Sequence, residues 1–428
     1  MSTELSTSAS CRSWLEEIIW KHWFPRQGSK AKLAVTDKIV LSTLGLVFRP
    51  VSQIVARVSR RRLEQQVNAP RLPGIPVVAI GNWIVGGAGK TPACIAVATA
   101  LRDSGHHVGI VSAGYRRDTS PDEPPLVLNE ESLSQTHPSQ SGDEPWLLAW
   151  RTGCPVAVHK NRLLAAQALL EAHPQTNLIL LDDGLSQVTL RPDIRILVLD
   201  DRLHGNGACM PWGPLRQSWP PPKAVRIDFV LLNQFHRPQH PVSDERRAAL
   251  DQLLAALPTS PELGPMSIPL AELSRPLRSG AQIQRLTQPA QAVVRQPALA
   301  LAGIARPERF FQDLDDMGVD LRGMLPLRDH EPHPRAKWLQ NKLAASGGEL
   351  PLLMTEKDAV KFFFEEMSDQ TRPSSQSDAP SDPKRDPRPE SLYATSSWWA
   401  VSQSVELPAA WIGHLLNRIR SAHGPTPA

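Results

Sequence analysis

Apolar positions follow different patterns in the first part of the chain and in the rest. Between residues 38 and 63, apolar side chains recur every three or four positions, which predicts amphipathic helix. Pro50 interrupts this stripe and predicts two helices, because proline lacks a backbone N–H and disrupts a helix interior. The stripe consists of Val40, Leu44, Val47, Val51, Ile54 and Val58.

After Pro70 the pattern changes to short apolar runs separated by helical segments, which is typical of a parallel sheet with helical crossovers. We expect strands at 75–81, 108–113, 155–159, 178–182, 194–199 and 229–232, and helices at 92–104 and 161–173. The predicted fold class is therefore α/β, with a doubly wound, mostly parallel sheet in residues 70–199.

The remainder of the chain predicts a second, smaller α/β domain at 200–365, because apolar runs resume at 298–304 and 350–354. Residues 366–393 are rich in proline, serine and charge, which predicts a disordered insert. The apolar run 398–405 reads as a strand, and we expect residues 394–428 to return to the first domain.

Residues 1–69 predict a helical segment with two alternative surroundings, the first of which is a membrane surface. The stretch 38–63 has no acid but has five arginines, and three tryptophans precede it at 14, 20 and 23. The longest uncharged run, 39–48, is too short to cross a hydrocarbon core of about 30 Å, so a spanning helix is not expected. The alternative is a helix that packs on the protein's own core and exposes a basic face.

Charge and cysteine content exclude several other classes. A net charge of +4 over 428 residues does not argue for a nucleic-acid partner. The four cysteines have no CxxC spacing, which argues against a zinc site and a disulfide framework and fits a reducing cytoplasm.

A glycine-rich segment follows the first predicted strand and precedes a helix, the context that a phosphate-binding loop requires. Its nucleotide-binding residues would be Gly86, Gly87, Ala88, Gly89, Lys90 and Thr91. Glycines let backbone N–H groups face phosphate oxygens, Lys90 would reach the terminal phosphates, and the Thr91 hydroxyl would hold Mg²⁺. The usual first glycine of such a loop is replaced by Ile84, and the alternative is a chance glycine turn.

Paired carboxylates end another predicted strand. Asp182 and Asp183 follow four apolar residues, as expected of the acidic strand end that completes a metal environment beside a phosphate loop. Taken alone, the segment could be a strand followed by an Asp-Gly turn. Together with the loop, the pair predicts a P-loop NTPase-like core that uses ATP and Mg²⁺.

In sequence, these motifs resemble the tetraacyldisaccharide 4'-kinase family, which phosphorylates the lipid A precursor of Gram-negative bacteria. Ile80 to Pro92 matches the family's loop, including the substituted first glycine, and the resemblance extends from about Pro70 to Trp398. Further matching segments are 142–145, 182–185, 205–207, 213–216, 303–311, 329–330 and 355–361.

The resemblance implies an ATP-dependent kinase with an acylated disaccharide lipid substrate at the cytoplasmic face of the bacterial inner membrane. It implies that Asp143 is the general base, assisted by His330, and that Lys90 is catalytic. It also implies that Tyr115 and Arg216 contact the substrate. Lys357 and Asp358 would be structural.

The chain departs from the family pattern at Ala113, Gln187, Gln217 and Glu331. An active but slower enzyme is expected, because an acid near the metal is replaced by a neutral amide. Two other functions stay open. One is a P-loop ATPase or GTPase switch, although no NKxD-type segment is present. The other is a membrane scaffold with a decayed nucleotide site.

Overall fold

The computed structural model describes residues 4–25, 34–114, 123–233, 243–266, 270–279, 282–327, 350–361 and 398–423. The chain forms two compact units. The first comprises Met1–Ala113, Asn161–Ser267 and Glu406–Ala428, and the second comprises Gly114–Lys160 and Ile268–Val405.

The strands are β1 (Val77–Gly81), β2 (Val108–Ser112), β3 (Leu126–Leu128), β4 (Val156–Val158), β5 (Leu178–Leu181), β6 (Ile194–Leu199), β7 (Phe229–Asn233), β8 (Glu262–Met266), β9 (Leu270–Ser279), β10 (Gln282–Pro289), β11 (Pro297–Ala302), β12 (Asp320–Pro326), β13 (Leu352–Thr355) and β14 (Trp398–Gln403). The labelled helices are α1 (Glu4–Trp23), α2 (Val35–Val67), α3 (Lys90–Asp103), α4 (Pro138–Ser141), α5 (Asp143–Thr152), α6 (Arg162–Ala172), α7 (Asp244–Ala255), α8 (Pro307–Asp316) and α9 (Ala409–His423). Residues 356–361 are also helical.

The first unit contains parallel strands in the order β2-β5-β1-β6-β7-β8. Every residue of the five strands from β2 to β7 in that order is buried, which explains why their sequences are continuous apolar runs instead of alternating ones. All six strands predicted before residue 233 are present, with ends that differ by at most two residues from the expectation. The predicted α/β class is confirmed.

The second unit has a mixed sheet in the order β10-β9-β14-β13-β11-β12. Strands β11 to β14 pair in parallel, whereas β9 pairs antiparallel with both β10 and β14. Side chains of Phe310, Phe311 and Leu314 on α8 pack into its core. β3 and β4, also in this unit, pair antiparallel with each other.

The division of the chain differs from the expected one. The first sheet does not end near residue 199, because β7 and β8 continue it in parallel as far as Met266. The final strand β14 pairs with β13 and β9 in the second sheet, so only α9 returns to the first unit. There Trp411 packs against Gly264 and Phe229. The predicted insert 366–393 lies outside the described residues.

α2 is one continuous helix of 33 residues and contains Pro50, so the expectation of two helices is wrong. Residues on both sides of the proline are fixed to the same loop. Gly45 faces the ring of Trp212, and the Ser52 hydroxyl donates to the Cys209 carbonyl at 2.7 Å. These anchors keep the two halves in line despite the missing hydrogen bond.

The two faces of α2 have an unusual distribution of side chains. Its buried face includes the polar residues Ser52, Ser59 and Gln66. Four of the six stripe residues are exposed: Val47 by 63%, Val51 by 41%, Ile54 by 57% and Val58 by 46%. Most of the apolar stripe predicted from sequence therefore does not face the protein core. α2 also contains an 18-residue window of mean hydropathy 1.6, so its length and composition would allow it to cross a membrane. The expectation that no helix spans the membrane was based on the uncharged run 39–48, which ends before Arg49 and is shorter than this window.

Candidate active site

The glycine-rich segment leads from β1 into α3, as predicted. Gly86 and Gly89 have φ angles of 83° and 86°, in the left-handed region that glycine adopts at little cost. A side chain at position 89 would also clash sterically, because an added Cβ would lie 2.2 Å from Nδ2 of Asn233. The loop therefore needs glycine for both conformation and close packing.

Ile84, which stands where the usual motif has glycine, is a buried residue that forms an antiparallel bridge with Leu215. The neighbouring backbone strengthens this pairing, because Val85 N–H donates to the Pro214 carbonyl and Arg216 N–H donates to the Trp83 carbonyl, both at 2.8 Å. The loop is thus joined to the segment around 214–216. The departure from the motif is explained by core packing and strand-like pairing.

Lys90 and Arg216 converge on one carboxylate. The Lys90 ammonium lies 3.2 Å from Oδ1 of Asp183 and donates to Oδ1 of Asn82 at 3.0 Å. The Arg216 guanidinium donates to both carboxylate oxygens of Asp183, at 3.0 and 3.2 Å, and also reaches the carbonyl and side chain of Asn82. The structure therefore brings three predicted site residues into direct contact, and adds Asn82, which the sequence did not single out.

The electrostatic environment keeps Asp183 ionised. Burial acts to raise the pKa of Asp183, but the charges of Lys90 and Arg216 and their hydrogen bonds outweigh it and lower the pKa from 3.8 to about 2. The side chain is still 32% exposed. A permanently charged, accessible carboxylate beside a phosphate loop is suited to the environment of a divalent cation.

Asp182 differs from its neighbour. It is 3% exposed, and its Oδ2 accepts a hydrogen bond from the Ser112 hydroxyl at 2.9 Å. Asp183 has a φ of 49°, so the chain turns between the two residues and their carboxylates have different partners. Burial lowers the pKa of Arg162 while the charges of both aspartates oppose that shift, which places a further cation near the pair.

Two residues that contact the loop, Arg202 and Asn233, were not found from sequence. Arg202, held by Asp200, donates to the carbonyls of Val85 and Gly87, and Asn233 donates to the carbonyl of Ala88 at 2.8 Å. Asp200 and Arg202 follow β6, the strand next to β1, and Asn233 ends β7, the strand beyond β6. Their position at the carboxyl ends of parallel strands is the signal that could have found them.

In the second unit, Asp143 is the first residue of α5 and is paired with a lysine. The Lys361 ammonium lies 3.6 Å from its Oδ2, and Lys357 donates to Oε1 of the adjacent Glu144 at 3.2 Å. These two lysines are four positions apart in the helical residues 356–361, so they lie on one side of the helix. The matching segment 355–361 thus holds the start of α5.

The remaining residues of that segment are structural. Asp358 is fully buried and accepts hydrogen bonds from the Gly303 N–H at 2.8 Å and from the Thr355 hydroxyl. Glu356 forms an ion pair with Arg151. The contacts of Asp358 support the expected structural role, whereas Lys357 contacts the acid next to Asp143.

Two predicted site residues, His330 and Tyr115, lie outside the described residues. Among the described ones, His137 lies close enough to Asp143 for the carboxylate to raise its pKa, although the larger effect of burial lowers it. Its Nδ1 accepts from Ser139 N–H at 3.1 Å and so caps α4. Sequence reasoning missed this imidazole because nothing local links it to the acid.

Two departures from the family pattern have distinct environments. Gln187 accepts hydrogen bonds from Thr189 and Leu190 N–H at 2.8 and 2.9 Å, so it shapes the turn after the paired acids. Gln217 is 4% exposed, next to Arg216 in sequence.

Comparisons with known proteins show which family the chain resembles. The family described as "LpxK: Tetraacyldisaccharide-1-P 4'-kinase" matches residues 39–418. A tetraacyldisaccharide 4'-kinase of Herminiimonas arsenicoxydans is 36% identical over 352 residues, which cover 82% of this chain and 87% of that protein. One of Bordetella petrii is 38% identical over 322 residues, 74% of this chain and 83% of the relative.

Among solved structures, LpxK from Aquifex aeolicus in complex with ATP matches with a TM-score of 0.61 and 21% identity, covering 89% of this chain and 99% of that one. At 21% identity this likeness is evidence about the fold alone. It supports the α/β architecture described above.

Proposed function

The chain belongs to the tetraacyldisaccharide 4'-kinase family, and we propose on this ground that it transfers the γ-phosphate of ATP to the 4'-hydroxyl of a tetraacylated glucosamine disaccharide 1-phosphate in lipid A biosynthesis. The observation that carries the proposal is the contact of Lys90 and Arg216 with Asp183 at the end of the phosphate loop. This cluster supplies the positive charge and the carboxylate that phosphoryl transfer requires.

Lys90 binds the terminal phosphates of ATP. Among the described residues, two of its contacts are Asn82 and Asp183, and an ammonium group has a third N–H that can donate to a phosphate oxygen. The backbone N–H groups of the loop and the N-terminus of α3 neutralise further negative charge.

The donor set fits Mg²⁺. The described residues contain no group of three or more His, Cys, Asp or Glu that could hold a metal, and Mg²⁺ in phosphoryl-transfer sites takes only one or two protein ligands beside phosphate oxygens and water. Thr91 and Asp183 would hold the ion, with Asp182 beside them. When bound, it neutralises charge that develops on the phosphates.

Asp143 removes the proton of the attacking hydroxyl. The acceptor oxygen forms a bond to the γ-phosphorus while the bond to the ADP oxygen breaks, and the proton passes to the carboxylate. His330 assists this step, and Tyr115 and Arg216 contact the substrate. The Lys361 ammonium, 3.6 Å from Oδ2 of Asp143, holds this carboxylate at the start of α5.

The cytoplasmic face of the inner membrane is the proposed location. α2 exposes Leu46, Val47 and Ile54, and α1 exposes Trp14 and Trp20, each by at least 41%. Together with the arginines of α2, these side chains suit an interface with anionic headgroups, where the acylated substrate lies.

The activity is tested by ATP consumption with and without the tetraacylated disaccharide 1-phosphate. A kinase consumes ATP in proportion to acceptor and yields a product phosphorylated at the 4'-hydroxyl. Acceptor-independent hydrolysis would instead indicate an ATPase switch, and absence of both reactions would indicate a scaffold with a decayed site.

The location is tested by vesicle sedimentation of a Leu46→Gln, Val47→Gln, Ile54→Gln variant. We expect it to lose vesicle binding, because apolar area that would enter the interface becomes polar. The matched control changes three exposed polar positions of the same helix: Ser42→Gln, Thr43→Gln and Gln65→Asn. Equal sedimentation of both variants with anionic vesicles would contradict the proposal.

A further inference from the structure

Arg202 is a buried cation that contacts the phosphate loop from outside the loop motif. Its side chain is 6% exposed and lies beside Asp200, which is fully buried. Nε of Arg202 donates to both oxygens of Asp200, at 3.1 and 2.9 Å, and Nη2 lies 2.7 Å from Oδ2. The ring of Phe24 lies 5.4 Å from the guanidinium carbon. The guanidinium is therefore held in one orientation.

The remaining donors of Arg202 reach two loop carbonyls. Nη1 donates to the Val85 carbonyl at 3.3 Å, and Nη2 donates to the Gly87 carbonyl at 3.1 Å. Asn233 makes a similar contact with the next carbonyl, that of Ala88.

These contacts determine where the loop N–H groups point. In a planar trans peptide, the carbonyl of one residue and the N–H of the next point in opposite directions. A carbonyl fixed toward Arg202 therefore fixes the following N–H on the other side of the peptide. For Val85 and Gly87, the N–H groups concerned belong to Gly86 and Ala88.

We propose that Arg202, oriented by Asp200, is a positioning residue that holds the phosphate loop with the N–H groups of Gly86 and Ala88 directed at the phosphates of ATP. The proposal rests on the nucleotide-binding role of the loop. Without the guanidinium, these flexible glycine-rich peptides rotate among several orientations, and ATP binding must select one of them.

The test compares Arg202→Gln and Arg202→Lys with the wild-type protein. Arg202→Gln is expected to raise the KM and the Kd for MgATP about 10- to 100-fold, because hydrogen bonds from a charged donor are lost. The KM for the acylated disaccharide stays unchanged. Arg202→Lys restores part of the affinity, since an ammonium group can keep Asp200 paired and reach one carbonyl.

Amide hydrogen exchange of residues 85–89 in ATP-free protein provides a second readout. Faster exchange is expected there in Arg202→Gln, and unchanged exchange in the strands. The matched control is Arg102→Gln, at an exposed arginine near the end of α3, where no change is expected.

The outcomes separate this inference from the proposed function. If wild-type protein does not bind MgATP, the nucleotide site itself is wrong. If wild-type protein binds MgATP and Arg202→Gln matches it in KM, Kd and loop exchange, the positioning role is wrong. An equal loss for both substrates, with no rescue by lysine, would indicate a general structural role and would also contradict the inference.

Discussion

Asp183 in the first unit and Asp143 in the second are both carboxylates paired with lysine, but their surroundings differ. Asp183 has two cationic partners, Lys90 and Arg216, within 3.2 Å. Asp143 has Lys361 at 3.6 Å. We propose that the same chemical group has a different task at each of these two positions.

A carboxylate held by two close cations stays charged at every physiological pH, so it suits a metal environment and cannot readily accept a proton. Asp143 has one, longer ion pair to a lysine, and we propose it as the general base that contacts the reacting hydroxyl. We therefore propose charge neutralisation as the role of the first region and proton transfer as the role of the second.

The largest effect is expected at the proposed base. Asp143→Asn should lower kcat about 10²- to 10⁴-fold, because the variant cannot accept the hydroxyl proton. Steady-state phosphoryl transfer to the acylated disaccharide measures this loss. The neighbouring acid gives a matched control: Glu144→Gln also breaks a lysine pair in the same helix start, yet it should retain most of the turnover. Equal losses of turnover in the two variants would show that the ion pairs of Asp143 and Glu144 with lysine only support the fold.

A somewhat smaller effect is expected at the loop lysine. Lys90→Met should lower kcat about 10²- to 10³-fold, because one charged donor to the transferred phosphate is removed. Lys223→Met, at an exposed lysine of the same unit, serves as the control. Near-normal single-turnover rates in Lys90→Met would remove Lys90 from the mechanism.

The smallest effect is expected at Arg216. Arg216→Gln removes one of the two cations that depress the pKa of Asp183, so this pKa should rise from about 2. The sign follows from linkage: a depressed carboxyl pKa stabilises the folded state fully above the unfolded value of 3.8 and loses that contribution as the pH falls toward 2. In Arg216→Gln, the contribution of Asp183 to folding stability should therefore be lost at a higher pH than in the wild-type protein.

Carboxyl titration by NMR measures this shift directly, with Arg226→Gln as a control at a 60% exposed arginine. An unchanged pKa of Asp183 would mean that Lys90 alone determines it. We also expect kcat/KM to fall about tenfold in Arg216→Gln, within the range for one charged hydrogen bond.

Local motifs made the first region predictable from sequence. The strand, the glycine loop and the paired acids are contiguous patterns, and each is found where it was expected. Arg202 and Asn233 were not predictable in the same way, because they are joined to the loop only by tertiary contacts. Asn82 lies within the loop segment itself, but only its contacts with Lys90 and Arg216 show that it belongs to the site. Ile84 shows the same limit, since its pairing with Leu215 depends on a segment more than a hundred residues away.

The second region and the N-terminal helix were less accessible to sequence analysis. The apolar stripe of α2 predicted a helix correctly, but periodicity alone could not tell whether that stripe faces a core or solvent. Pro50 suggested a break, whereas contacts of Gly45 and Ser52 with one loop keep the helix continuous. The sequence placed β14 in the first domain, whereas it pairs with β13 and β9 in the second sheet. A short apolar run predicts a strand but does not show which strands it pairs with.

The contrast between the two carboxylates is tested most directly by the MgATP affinity of Asp143→Asn and Asp183→Asn, measured by calorimetry on both variants and the wild-type protein. The account predicts that Asp143→Asn binds MgATP as the wild type does, whereas Asp183→Asn binds it much more weakly. Wild-type affinity in Asp183→Asn, or loss of affinity in Asp143→Asn, would contradict it.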